Sequence, residues 1–132
     1  MTIRLAGPIK VRYILDDNPD LSYLEQDYKS DGLTESQRQK YLAQDKQRLK
    51  NYYDGNWSAI GIKAEAQIQI LNNPSSWILQ TIHSGGLWGI ESDSTKSYLE
   101  EVEQEEISEL KHILRKLNVQ ISKDHPIEVI KE

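Results

Sequence analysis

The stretch "WSAIGIKAEAQIQIL", residues 57–71, decides the fold. Ile60, Ile62, Ala64, Ala66, Ile68 and Ile70 occupy every second position, with Gly61, Lys63, Glu65, Gln67 and Gln69 between them. A period of two with one apolar and one polar set describes a strand with one buried and one wet face. The six apolar residues are expected to face the core, opposite the apolar stripes of the helices.

Upstream, Ile9, Val11, Tyr13 and Leu15 alternate with Lys10 and Arg12, which predicts a half-buried strand over 9–15. Gly7-Pro8 separates it from a shorter strand at 3–5. Downstream, Asn-Asn-Pro-Ser at 72–75 turns the chain. "SWILQTIHS" returns as a second strand, and "LWGIES" forms a third, with Trp88 and Ile90 on the same face. Gly85-Gly86 between them fits a two-residue hairpin loop, because primed turns need a positive φ that glycine adopts without strain. A phosphate cradle would place its glycines between a strand and a helix N-terminus. Here a strand-like segment follows, so the turn is the preferred reading. Gly89 lets a neighbouring ring lie close, and Trp88 reads as a core residue before it reads as a ligand platform.

Two helices complete the pattern. Residues 33–57 carry a thin apolar stripe, Tyr41, Leu42, Leu49, Tyr52 and Tyr53. Thr34 and Gln37 have capping-box spacing, and Gly55 suits the left-handed position at the end. The second helix begins near Ser97, paired with Glu100 as a capping box. Its stripe is Leu99, Val102, Leu110, Ile113, Leu114 and Leu117, with Ile107 beside it. Residues 123–132 read as an edge strand or a frayed tail. The resulting fold class is α+β over a single domain, 1–132. An antiparallel meander of about four strands is packed by two helices, in the order β-α-β-β-β-α.

Composition narrows the function. A chain of 132 residues builds one modest core. Phe is absent, so seven Tyr and three Trp supply the aromatic bulk, and several of these belong at a core edge or an interface. Without Cys there is no disulfide or thiolate chemistry, and a zinc site would need His and carboxylates alone. No apolar run approaches membrane-spanning length, so a cytoplasmic protein without a membrane partner is expected. The net charge of -5 argues against direct nucleic-acid binding.

The candidate sites have plain competitors. His83, Glu91 and Asp93 near the glycine turn form the one catalytic set worth naming, for a small nucleotide- or nucleic-acid-processing enzyme. There is no G-x-S-x-G elbow, and Ser, Asp and Thr are what helix starts prefer, so the preferred reading has no catalytic residues and no cofactor. The three histidines share no metal-ligand spacing, and no metal site is expected. Asp16, Asn18, Asp20 and Asp27 match part of an EF-hand loop, but Leu21 stands where the sharp turn needs glycine, so a polar loop is preferred. Trp88 and Trp57 are the platforms of a third reading, a small-molecule-binding domain. The leading reading is a non-enzymatic binding or inhibitory protein acting through an acidic surface. Its contact residues would be Glu100, Glu101 and Glu105, joined by Asp16, Asp17 and Asp20 if the fold brings them together.

Three segments, "DDNPDLSYLEQDY", "GIKAEAQIQI" and "QTIHSGGLWGIESDSTKSYLEEVEQEEISELKHIL", resemble a family of small, functionally uncharacterised proteins of phages, plasmids and bacterial chromosomes. The resemblance implies a mobile-element origin and a counter-defence (anti-CRISPR-like) role. The partner it implies is a host or defence-complex protein, and the acidic residues above would engage a basic surface on it. It carries over no functional residues.

Overall fold

The computed structural model describes residues 2–73 and 76–131, without the side chains of 72 and 73. Its elements are β1 (Thr2–Leu15), a 3-10 turn (Ser22–Leu24), α1 (Glu35–Tyr53), β2 (Ala59–Asn73), β3 (Ser76–His83), β4 (Leu87–Glu91), α2 (Lys96–Lys116) and β5 (Ile127–Lys131). The class is α+β and the expected order is kept, with a fifth strand added by the tail. Among the described residues, no helix is long and apolar enough to cross a membrane.

β2 is the spine. β1 runs antiparallel along one side of it, pairing Leu15 with Ile60 through Thr2 with Leu71. β3 and β4 both run antiparallel along the other side, β3 against residues 65–73 and β4 against residues 59–62. They are therefore two halves of one returning strand and not the arms of a hairpin. β5 joins the far side of β1 in parallel, Ile9 beside Ile127 and Tyr13 beside Lys131, so the sheet is mixed. The tail forms an edge strand, one of its two readings, but its parallel pairing was not legible because its partner lies more than a hundred residues upstream. His125 fixes it there by donating from Nε2 to the Gly7 carbonyl at 2.8 Å, beside the Ile9 N–H bond to Pro126.

Gly7-Pro8 does not end the first strand. It makes a bulge, with register slipping between Ala6 and Lys10 and Gly7 at φ +87°. Pairing resumes with the same face inward, Ile3 and Leu5 on one side of the bulge and Ile9, Val11 and Tyr13 on the other. The expected turn at 72–75 falls partly on residues 74 and 75, outside the described residues.

The alternation in β2 holds. Ile62, Ala64, Ala66 and Ile68 are buried, and Ile60 and Ile70 pack against them. α2 covers this face with Val102, Ile107, Leu110 and Leu114. Two details differ from expectation. The helix starts at Thr95, whose side chain accepts from Tyr98 N–H, and not at Ser97. Leu117 is its exposed C-cap, followed by Asn118 in the left-handed conformation. Bonds from Val119 N–H to Leu114 and from Asn118 N–H to Arg115 close the end.

α1 does not share that core and contributes no buried residue. Its expected capping box, Thr34 with Gln37, is formed, and Gly55 closes it at φ +80°. The helix packs instead on the 3-10 turn, and Leu24, Trp57 and Ala59 are buried outside the main core cluster. Register puts Ala59 and Glu91 on the face opposite Ile60 and Ile90. Arg48 of α1 bonds Glu91, so α1 meets the sheet on the side away from α2. An apolar stripe of mainly Tyr is too polar to compete for the isoleucine face.

Candidate binding surface on the open sheet face

The glycine stretch is resolved by counting residues across the strands. His83 sits opposite Glu65 and Leu87 opposite Ile62, so Ser84, Gly85 and Gly86 span the place of Lys63 and Ala64. The extra residue makes a bulge. Gly86 has the expected positive φ, +82°, but it serves this bulge and no hairpin. A buried chain of hydrogen bonds pins it. Ala64 N–H donates to Ser84 Oγ at 2.9 Å, Ser84 Oγ donates to Glu106 Oε1 at 2.7 Å, and Gly86 N–H donates to the same oxygen at 2.8 Å. Glu106 is only 7% exposed, although it belongs to a stretch, 100–109, in which six of ten residues are glutamate. Its position between Val102 and Leu110 at four-residue spacing was the available signal.

A second bulge follows at once, Trp88 and Gly89 opposite Gly61, with Gly89 at φ +74°. It turns Trp88 to the face opposite Ile90, so the two do not share a face. Trp88 is 47% exposed and lies flat on Gly61, where a Cβ would meet its ring at 2.2 Å. Gly61, and not Gly89, is the glycine that admits the ring.

The face of the sheet away from α2 is thus covered by α1 only near Ala59. Beyond it lies an open strip. Arg12 pairs with Glu65, which also faces His83 Nδ1 at 3.4 Å; Lys63 Nζ stands 3.4 Å from the same nitrogen. Further along, Arg4 donates to Gln69 at 2.8 Å and stacks over Trp77 at 4.5 Å. A cleft of about 420 Å³ opens at the Gly7-Pro8 bulge, lined by Lys10, Arg12, Glu65, Gln67, Thr81 and His83. By register, this strip holds Arg4, Lys10, Arg12 and Lys63 against Glu65 and Glu128, a local cationic excess on an acidic protein.

The other expected site residues are dispersed. His83 lies opposite Glu65 and Glu91 opposite Ala59, six residues apart along β2, or about 20 Å. Glu91 and Asp93 are engaged by Arg48, whose Nη1 bonds Asp93 at 2.8 Å and whose Nε bonds Glu91 at 2.8 Å. The His83, Glu91, Asp93 set is therefore not assembled. The hydrogen bond from Arg48 holds the Asp93 carboxyl below its ordinary pKa, and the same bond raises that of Arg48. Trp57 is 4% exposed, stacked under Arg48 with its indole N–H bonded to the Arg48 carbonyl, which removes it as a ligand platform.

The acidic residues do not form one field. Glu100, Glu101 and Glu105 are exposed on α2. Asp20 accepts from Ser22 N–H at the start of the 3-10 turn, which lowers its pKa, and that turn packs on α1 at the other face of the sheet. Asp16 bonds Asn18 N–H at 3.2 Å, and exposed Asp17 lies beside it at the sheet's end. Among the described residues, no group of three metal-ligating side chains converges in this loop or elsewhere.

No family model, no curated protein and no solved structure matches this chain.

Proposed function

We propose that this chain is a non-enzymatic protein-binding protein that holds its partner on the open sheet face. One observation carries the reading: exposed Trp77 and Trp88 flank a row of Arg and Lys on the part of the sheet face that α1 leaves open. Trp and Arg are the side chains in which interface energy concentrates, and their rigid or planar groups lose little freedom on binding. The cationic excess suits an acidic segment on the partner. A host or defence-complex protein is the partner class that the family resemblance implies.

A second reading uses α2. Glu101 and Glu105 are exposed and make no ion pair or hydrogen bond among the described residues, so they are free to steer a basic partner. Capture from a host lysate with variant baits separates the two. Loss of a stoichiometric partner with Trp88→Ala and Arg4→Ala supports the sheet face. Loss only with the Glu101→Lys/Glu105→Lys double variant supports the helix. Turnover of a nucleotide panel that disappears in His83→Ala would overturn both in favour of an enzyme.

A further inference from the structure

β3 is a free edge without the usual protections. It pairs with β2 on one side, and among the described residues no strand lies on the other. An edge strand offers a row of unpaired N–H and C=O groups to any second strand. Proteins ordinarily blunt such rows with charge, proline or a bulge. Residues 76–82, "SWILQTI", contain no charge and no proline, in a chain where 28% of residues are charged. The pairing of residues 77–83 with β2 runs without a register break. Apolar side chains are exposed on both faces of the strand: Trp77 at 42% and Leu79 at 55% on the open face, Ile78 at 42% on the face of α2. The opposite edge is different, because β5, "IEVIK", carries Glu128 and Lys131.

We infer that β3 is a self-association edge, at which a second copy of this chain adds its own β3 antiparallel. The occupant follows from charge. Two chains of net charge -5 repel each other as wholes, but the uncharged run brings no like charges together. The run is also self-complementary about a two-fold axis, the commonest symmetry of soluble oligomers. An axis normal to the sheet and centred on Leu79 sets Leu79 against Leu79, Trp77 against Thr81 and Ile78 against Gln80 of the second copy, each pair on one face. Main-chain hydrogen bonds supply the affinity and the flanking apolar side chains lose their exposure. The pairing closes at two copies, because it consumes β3 of each, while among the described strands the other free edges carry charge (β5) or a bulge (β4). An eight-residue edge is smaller than a standard interface of about 1,600 Å², so the dimer dissociates on dilution.

Sedimentation analysis over a concentration series tests this. The intact chain is expected to pass from one to two chain masses as concentration rises. Leu79→Lys and Gln80→Lys, both at exposed positions, are expected to weaken association at least about tenfold while keeping the circular dichroism of the folded chain. Trp88→Ala should leave the dimer intact, which separates this edge from the proposed partner surface. The chain has no cysteine, so Leu79→Cys adds a single reporter that should cross-link the dimer on mild oxidation. An intact chain that stays monomeric to about 1 mM would overturn the inference. So would growth beyond two copies, or a dimer indifferent to both lysine variants.

Discussion

Replacing Glu106 with Ala should be among the most damaging single changes in α2, although exposed Glu105 beside it is nearly free to change. The Glu106 carboxylate accepts from Ser84 Oγ and Gly86 N–H, and Ser84 in turn accepts from Ala64 N–H. Hydrogen bonds to a charged group contribute roughly 1.5–3 kcal/mol each, and a buried donor left without an acceptor costs about 1–3 kcal/mol. Two such bonds are lost, so Glu106→Ala should cost about 3–5 kcal/mol, a large share of the roughly 5–15 kcal/mol that holds a domain folded. Glu106→Gln keeps the acceptor oxygen without its charge and should cost less than half of that. Ser84→Ala leaves Ala64 N–H without its partner. The Ser84→Ala/Glu106→Ala pair should then lose less than the sum of its parts, since the residues act through one chain of bonds. Urea unfolding with linear extrapolation measures each variant, with Glu105→Ala as the exposed control. Equal stabilities for Glu106→Ala and Glu105→Ala, within about 0.5 kcal/mol, would refute the clamp.

Ile62→Ala and Ile68→Ala should each cost roughly 2–4 kcal/mol by opening a cavity under α2, while Lys63→Ala on the open face should change little; denaturant midpoints check the contrast. Gly61→Ala should push the Trp88 ring off the sheet, costing about 1–3 kcal/mol with a change in tryptophan fluorescence, and Trp88→Ala in the same chain should relieve much of that cost. Asp93 has a lowered pKa in the folded chain, so the stability it contributes is present above its unfolded value and lost as pH falls through the folded one. Stability measured from pH 6 down to pH 2 should therefore fall less steeply in Asp93→Asn than in the intact chain.

The periodicity of β2 alone located the core face, because a two-residue repeat leaves one way to bury four isoleucines and two alanines together. Capping chemistry likewise placed the start and end of α1 from Thr34, Gln37 and Gly55, since those groups act within one helical turn. The positive φ at Gly86 was legible for a similar local reason. What the glycines were for was not. Two residues between two strands look the same in sequence whether they turn a hairpin or bulge a single returning strand, and only pairing with β2 separates the cases. The burial of Glu106, the seizure of Asp93 by Arg48 and the parallel docking of β5 on β1 all join residues at least twenty apart in the chain. Such contacts are set by which surfaces remain uncovered once the sheet has formed. That is also why one acidic sequence yields two unlike faces: α2 turns Glu100, Glu101 and Glu105 outward, and the pleat of β1 and β2 gathers Arg4, Lys10, Arg12 and Lys63 on the side it leaves bare.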